Sequence, residues 1–233
     1  MNDILKQASV IITAGGSGTR LSTQIKKQYI KIVNKPILYY SLKIFNGLPL
    51  LEKILVVPQE DIEYVQKNII NKFGFSDFQI AVGGITRHHS VYNGLTKLKE
   101  CQYVFIHDGV RPFLTLALIN DLVNKIKEKN VCAVIPCIKL KDTVKKINEK
   151  DKIILETINR EEYRAVQTPQ LFDFKLLLEC YNKNKENLDK FTDDAGFLEK
   201  EKYIVHYING IDKNIKITTK EDLIFAKYLL KHF

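Results

Sequence analysis

The feature that most constrains the fold is an alternation that begins with one strand and one glycine turn. Val10-Ile11-Ile12 is a run of β-branched apolar residues that stops at Gly15-Gly16-Ser17-Gly18. A strand apolar at consecutive positions is buried on both faces, as inside a parallel sheet. The punctuation recurs. Ile54-Leu55-Val56-Val57 reads as a second strand between helix starts at Pro36 and Asp61, Phe78–Val82 runs into Gly83-Gly84, and Thr86 opens a helix toward Leu98. Tyr103-Val104-Phe105-Ile106 forms a strand ending at His107-Asp108, a helix covers about 116–129, and Cys132-Ala133-Val134-Ile135 is a strand closed by Pro136. Strands alternating with amphipathic helices imply a doubly wound α/β fold with a mostly parallel sheet, since each crossover lays a helix across the sheet. Ligands in such sheets sit beyond the carboxyl ends of the strands, where the glycine turn, Gly83-Gly84 and Asp108 all fall.

A chain of 233 residues with 45% hydrophobic content has room for one domain with an excursion, and too much apolar content for disorder. The excursion is 138–164. Its first half, 141–152, is charged and polar around a turn near Glu149-Lys150-Asp151, and Ile153-Ile154-Leu155 returns apolar. This reads as a projecting β-arm, and an arm with so little core of its own implies a homodimer that exchanges arms. Helices over 174–181 and 193–198, a strand over 203–208 and a capping box at Thr218 and Glu221 complete the pattern.

No stretch approaches a membrane span and no signal peptide is evident, so the expected location is cytoplasmic. Cys101, Cys132, Cys137 and Cys180 show no C-x-x-C spacing, which argues against zinc and disulfides. The net charge of +9 comes from scattered lysines interleaved with acids, without the aromatic-bearing basic stripe that nucleic acid would need.

The loop Ala14-Gly15-Gly16-Ser17-Gly18-Thr19-Arg20 lacks the Gly-Lys-Ser/Thr end of a P-loop and the third glycine of a dinucleotide fingerprint. What remains is a strand followed by small residues whose N–H groups can approach an anion, with Arg20 and Lys27 downstream; the alternative is a tight turn with surface cations. Asp108, just past an apolar strand, is a candidate magnesium ligand, because Mg²⁺ often takes one carboxylate and completes its shell with water and phosphate; an Asx-turn is the other reading. His107 reads as structural.

Together with Lys27-Gln28-Tyr29, Gly83-Gly84-x-x-Arg87-x-x-Ser90-Val91, His107-Asp108-Gly109-Val110-Arg111-Pro112, Lys141-Asp142-Thr143, Arg160, Gln167-Thr168-Pro169-Gln170, Thr192-Asp193-Asp194-Ala195 and Asn214-Ile215-Lys216-Ile217-Thr218, the loop resembles the 2-C-methyl-D-erythritol 4-phosphate cytidylyltransferase family over nearly the whole chain. The resemblance implies a Rossmann-like nucleotidyltransferase fold that joins CTP to a sugar-alcohol phosphate with Mg²⁺. It implies Ala14, Gly15, Gly16 and Gly18 as a CTP cradle, Arg20 and Lys27 at the triphosphate, and Gly84, Arg87 and Ser90 in the base and ribose pocket. Asp108 would be the metal-associated acid. Thr143, Arg160, Thr168 and Lys216 would hold the sugar phosphate, with Arg111 and Asp142 on the same rim, and Thr143 would act in the neighbouring subunit's site.

Departures from the family pattern include Lys26 where proline is common and Ile85 where an acid often follows the glycine pair. The same resemblance leaves two competing readings. Ribitol 5-phosphate cytidylyltransferases share the glycine loop and the Thr-Pro-Gln segment, and a nucleotide sensor could keep the fold without turnover.

Overall fold

The structure, a computed structural model, describes residues 2–16 and 25–232. A short helix, Asn2–Leu5 (α1), leads into Ala8–Thr13 (β1), which is buried at all six positions. The hairpin of Lys31–Ile32 (β2) and Lys35–Pro36 (β3) precedes Ile37–Asn46 (α2). Lys53–Val57 (β4) is followed by Ile62–Val65 (α3), which continues as a π-turn, and then by Phe78–Val82 (β5). Arg87–Lys97 (α4), Tyr103–Asp108 (β6) and Leu116–Ile126 (α5) complete the first half. The second half contains Ala133–Lys139 (β7), Lys145–Asn148 (β8), Ile153–Thr157 (β9), Arg164–Val166 (β10) and Gln170–Asp173 (β11). Phe174–Lys183 (α6), Ala195–Lys200 (α7), His206–Asn209 (β12) and Lys220–His232 (α8) end it.

The main sheet runs β10-β7-β11-β6-β1-β4-β5, with β12 added alongside β7. β6, β1, β4 and β5 are parallel neighbours, as the alternation predicts, and β12 is parallel to β7, whereas β11 is antiparallel to β6 and β7. That antiparallel strand follows from the excursion: the chain returns from the arm at the carboxyl edge and has to run back down the sheet.

Two apolar layers flank the strands. Val10 and Ile12 join Leu38, Phe45, Ile119 and Leu122 of α2 and α5, while Ile11 joins Val91 and Leu95 of α4 and Leu177 of α6. Alternate side chains of one strand therefore serve opposite layers. Full burial of each is worth about 1.5–3 kcal/mol. Gly94 lets α4 sit against β1; a Cβ there would lie 2.7 Å from Ile11 Cγ2.

Four local expectations shift. Pro136 does not close its strand: β7 continues to Lys139, and the Pro136 carbonyl accepts from the Gln167 N–H at 2.8 Å. The final capping box lies one residue on. Thr219 Oγ1 accepts from the Asp222 N–H while Asp222 Oδ2 accepts from the Thr219 N–H, and the shorter Asp222 also takes both donors of Thr218. The helix expected at 193–198 begins at Ala195, and the strand expected at 203–208 begins at His206. The arm forms as a β8–β9 hairpin, with Ile147, Ile153, Ile154 and Leu155 each more than half exposed. No helix of the described residues is long and apolar enough to cross a membrane.

Candidate active site

Parallel register sets one level for the strand ends: Thr13 of β1 pairs with Asp108 of β6 and with Val56 of β4, and Val57 pairs with Val82 of β5. A cavity of about 330 Å³ opens above this level, and its walls include Ala14, Gly15, Gly16, Lys27, Gly84, Arg87, Ser90, Asp108 and Lys216. Nine positions scattered from 14 to 216 in the sequence, each expected to meet substrate, thus meet in one space. Thr13, Gln28 and Thr86 line it too, without having been assigned there.

The loops are braced from within. Gln28 Nε2 donates to the Ala14 carbonyl at 2.8 Å, tying the turn Lys27–Tyr29 to the start of the glycine loop. Lys27 crosses Gly16 closely enough that a Cβ on that glycine would lie 3.4 Å from Lys27 Cε. On the opposite wall, Thr86 caps α4 by accepting from the His89 N–H, and Ser90 Oγ accepts from the Gly84 N–H at 3.0 Å while donating to the Thr86 carbonyl at 3.0 Å. Ser90 therefore shapes the loop that bounds the cavity.

Charge is concentrated at the floor. Asp108 Oδ1 accepts from Arg87 Nε at 2.9 Å, and Oδ2 lies 3.0 Å from Lys216 Nζ and 3.5 Å from Arg111 Nε. Burial alone would raise the Asp108 carboxyl, but Arg87, Lys216 and Arg111 outweigh it and hold it well below the usual range. Arg87 reaches back through Nη2 to Asp194 Oδ2 at 2.7 Å, and Asp194, with no exposure, accepts from Tyr181 Oη at 2.6 Å and lies 3.6 Å from His88 Nδ1. Burial would lower the Arg87 guanidinium; Asp194 and Asp108 reverse this and raise it well above its ordinary value. Asp194 belongs to the Thr192–Ala195 segment that resembles the family, and no spacing rule connects it to Arg87, 107 positions earlier.

Other expected residues lie elsewhere. Arg111 is 9% exposed behind Asp108, donating from Nη1 to the Asn214 carbonyl at 2.8 Å. Thr168, expected at the sugar phosphate, is buried: its Oγ1 accepts from the Asp108 N–H at 3.0 Å and lies 3.0 Å from His107 Nδ1. It posts the floor from below. His107 is wholly buried and pushed down to about 3 by desolvation, hence neutral and structural as expected. Asp142, Thr143 and Arg160 belong to the arm, where Arg160 Nη1 donates to the Lys141 carbonyl and lines a separate cleft with Lys139 and Asp212. Gly18 and Arg20 lie outside the described residues.

The expected role of Asp108 as a magnesium ligand meets a different geometry. Both its oxygens are engaged by cations, and around Asp108 and Asp194 the count is three cations (Arg87, Arg111, Lys216) against two carboxylates. A further cation there would face repulsion from three sides, while an anion is drawn in. Among the described residues no group of three or more His, Cys, Asp or Glu side chains is placed to hold a metal. The donor set does not fit a protein-held divalent ion.

The sequence profile described as 2-C-methyl-D-erythritol 4-phosphate cytidylyltransferase matches residues 8–232. A protein of that name from Clostridium beijerinckii is 42% identical over 225 residues, covering 96% of this chain and 98% of the relative. One from Lachnoclostridium phytofermentans is 39% identical over 234 residues, covering 97% of each. Among solved structures, a 4-diphosphocytidyl-2C-methyl-D-erythritol synthase from Anaerococcus prevotii superposes with a TM-score of 0.84 at 35% identity, covering 99% of this chain and 100% of that one. The Francisella tularensis cytidylyltransferase superposes at 0.79 with 30% identity, covering 95% and 98%. A match along almost the entire length, in sequence and in backbone, shows that the chain belongs to the 2-C-methyl-D-erythritol 4-phosphate cytidylyltransferase family.

Proposed function

We propose that this chain transfers CMP from CTP to 2-C-methyl-D-erythritol 4-phosphate, giving CDP-methylerythritol and pyrophosphate by in-line attack of the substrate phosphate on the α-phosphorus. The observation that carries the reading is the convergence of Lys27, Arg87 and Lys216 on a glycine-walled cavity at the carboxyl rim of the parallel strands. A phosphate monoester has its second pKa near ~6 and is largely dianionic at neutral pH, so its oxygen attacks without a strong general base. The barrier lies in gathering two polyanions and stabilising charge on the transferred group and the departing pyrophosphate. Lys27 with Arg20 serves the triphosphate, the N–H groups of Gly15 and Gly16 approach it closely, and Lys216 orients the incoming phosphate from the Asp108 side. Magnesium belongs in this reading with the nucleotide, as its counter-ion.

Arg160, Asp142 and Thr143 act on the sugar phosphate from a partner's arm. In support, Arg160 lines a cleft apart from the nucleotide cavity, and Ile147, Ile153 and Ile154 of the arm are exposed within one chain. Arms exchanged in a homodimer would cover those side chains and complete both sites.

Pyrophosphate release is measured with CTP and either methylerythritol phosphate or ribitol 5-phosphate. Release dependent on the former supports the assignment; preference for ribitol 5-phosphate transfers it to that class, and CTP binding without release leaves a sensor. Inactive Lys27→Ala and Arg160→Ala chains are then refolded together. Heterodimers should carry one intact site each, restoring roughly a quarter of the wild-type rate in an equal mixture. Absence of recovery in mixed dimers would remove the exchanged arm from the mechanism.

A further inference from the structure

The turn that delivers Lys27 is a one-turn 3₁₀ segment, Lys27–Tyr29, too short to hold its own geometry. It is held from both sides. Gln28 is pinned to Ala14, as described, and Tyr29 Oη donates to Asp61 Oδ2 at 2.9 Å while its ring packs on Tyr64 at 5.0 Å between centroids. The residue before Lys27 completes the bracket. Lys26 Nζ lies 2.8 Å from Asp61 Oδ1 and 2.7 Å from Glu60 Oε1. Asp61, 8% exposed, thus spends one oxygen on Lys26 and the other on Tyr29, gripping the turn at the residue that precedes it and at its last residue.

The structure assigns Lys26 and Asp61 to the reaction as positioning residues: their ion pair fixes the turn so that consecutive lysines face opposite ways, Lys26 into the bracket and Lys27 across Gly16 into the cavity. Neither Lys26 nor Asp61 lines that cavity. An exposed ion pair contributes little to stability, but this pair is partly sheltered, with Asp61's side chain only 12% exposed, and it anchors a short segment whose backbone closes through the Tyr29 and Ile30 N–H groups onto the Lys26 and Lys27 carbonyls. Its effect therefore falls on placement of one ammonium group, where an error of about 1 Å is felt strongly.

The inference rests on Lys27 serving the triphosphate, so the wild-type chain is assayed first; no wild-type turnover would defeat that reading, whereas the outcomes below concern the bracket alone. Lys26→Ala is expected to lower kcat about tenfold with KM for the sugar phosphate unchanged, to leave the melting temperature within a few degrees, and to speed hydrogen exchange at Tyr29 and Ile30 in the unliganded protein. Lys26→Arg should restore both rate and exchange protection, and Lys26→Ala with Asp61→Asn should be no slower than the worse single variant. Wild-type kcat in a folded Lys26→Ala protein would overturn the assignment. So would additive single effects, failure of arginine to rescue, or a loss confined to KM for CTP, which would mean that Lys26 meets the nucleotide itself.

Discussion

Asp194→Asn tests whether a carboxylate outside the cavity walls governs the cavity floor. Asp194 is fully buried, and its ordinary value near 3.8 falls to about 2: burial pushes it up, and the Arg87 charge with the hydrogen bonds of His88 and Arg87 pulls it further down. At about 1.4 kcal/mol per factor of ten, that gap is worth about 2 kcal/mol of stability. The sign is that of a depressed acid. The contribution is complete above about pH 4, where an unfolded aspartate is ionised, and is lost as pH falls toward 2. Removing one partner of a buried pair costs about 3–5 kcal/mol when the other charge is stranded, but Arg87 keeps Asp108, which places the expected cost at about 2–3 kcal/mol. For a chain of this size that lowers the melting temperature by about 4–12 °C. Thermal denaturation of both proteins between pH 2.5 and 7 should show a constant gap above pH 5 that closes in acid. A gap as wide at pH 2.5 as at pH 7, or none at neutral pH, would refute the charge argument. Turnover should fall as well, since Arg87 holds Asp108 by the same guanidinium.

Two further substitutions probe the loops. Gly84→Ala would set a Cβ 2.3 Å from His89 Cβ and 3.0 Å from its backbone carbon, so the loop has to move; CTP affinity measured by calorimetry should drop more than tenfold, and unchanged affinity would mean the loop does not touch the nucleotide. Val33 is a β-branched residue at φ 48° in the two-residue link between β2 and β3, a left-handed conformation costing about 1–2 kcal/mol that asparagine tolerates. Val33→Asn should raise the melting temperature by about 2–8 °C with turnover intact, and an unchanged or lower value would show that the turn stores no strain.

The parallel core was legible because β1, β4 and β6 carry the apolar runs Val10–Ile12, Ile54–Val57 and Val104–Ile106, and turn residues punctuate the strands: Gly15 after β1, Pro58 after β4, Gly83 after β5 and Asp108 at the end of β6. Pro136 misled because proline is excluded only where its N–H is needed; the carbonyl of Pro136 is what the neighbouring segment uses. The capping box slipped by one residue because Thr218 and Thr219 both fit position and Glu221 and Asp222 both fit charge, and only the reach of the shorter acid separates them. At the site, residues that border loops were readable, whereas Thr168 was expected at the sugar phosphate and its hydroxyl serves the Asp108 N–H. Asp194, Tyr181 and His88 could not be read, because a buried network is a relation between distant positions and leaves no local periodicity.

The balance of three cations against two carboxylates at the floor has a consequence for inhibitor chemistry. A neutral compound of the right shape would strip water from Lys27 and Lys216 and return nothing for it, however well it filled the volume. A competitor needs an acidic group aimed at the Lys216 side, where it would contend with the enzyme's own aspartate for the same ammonium.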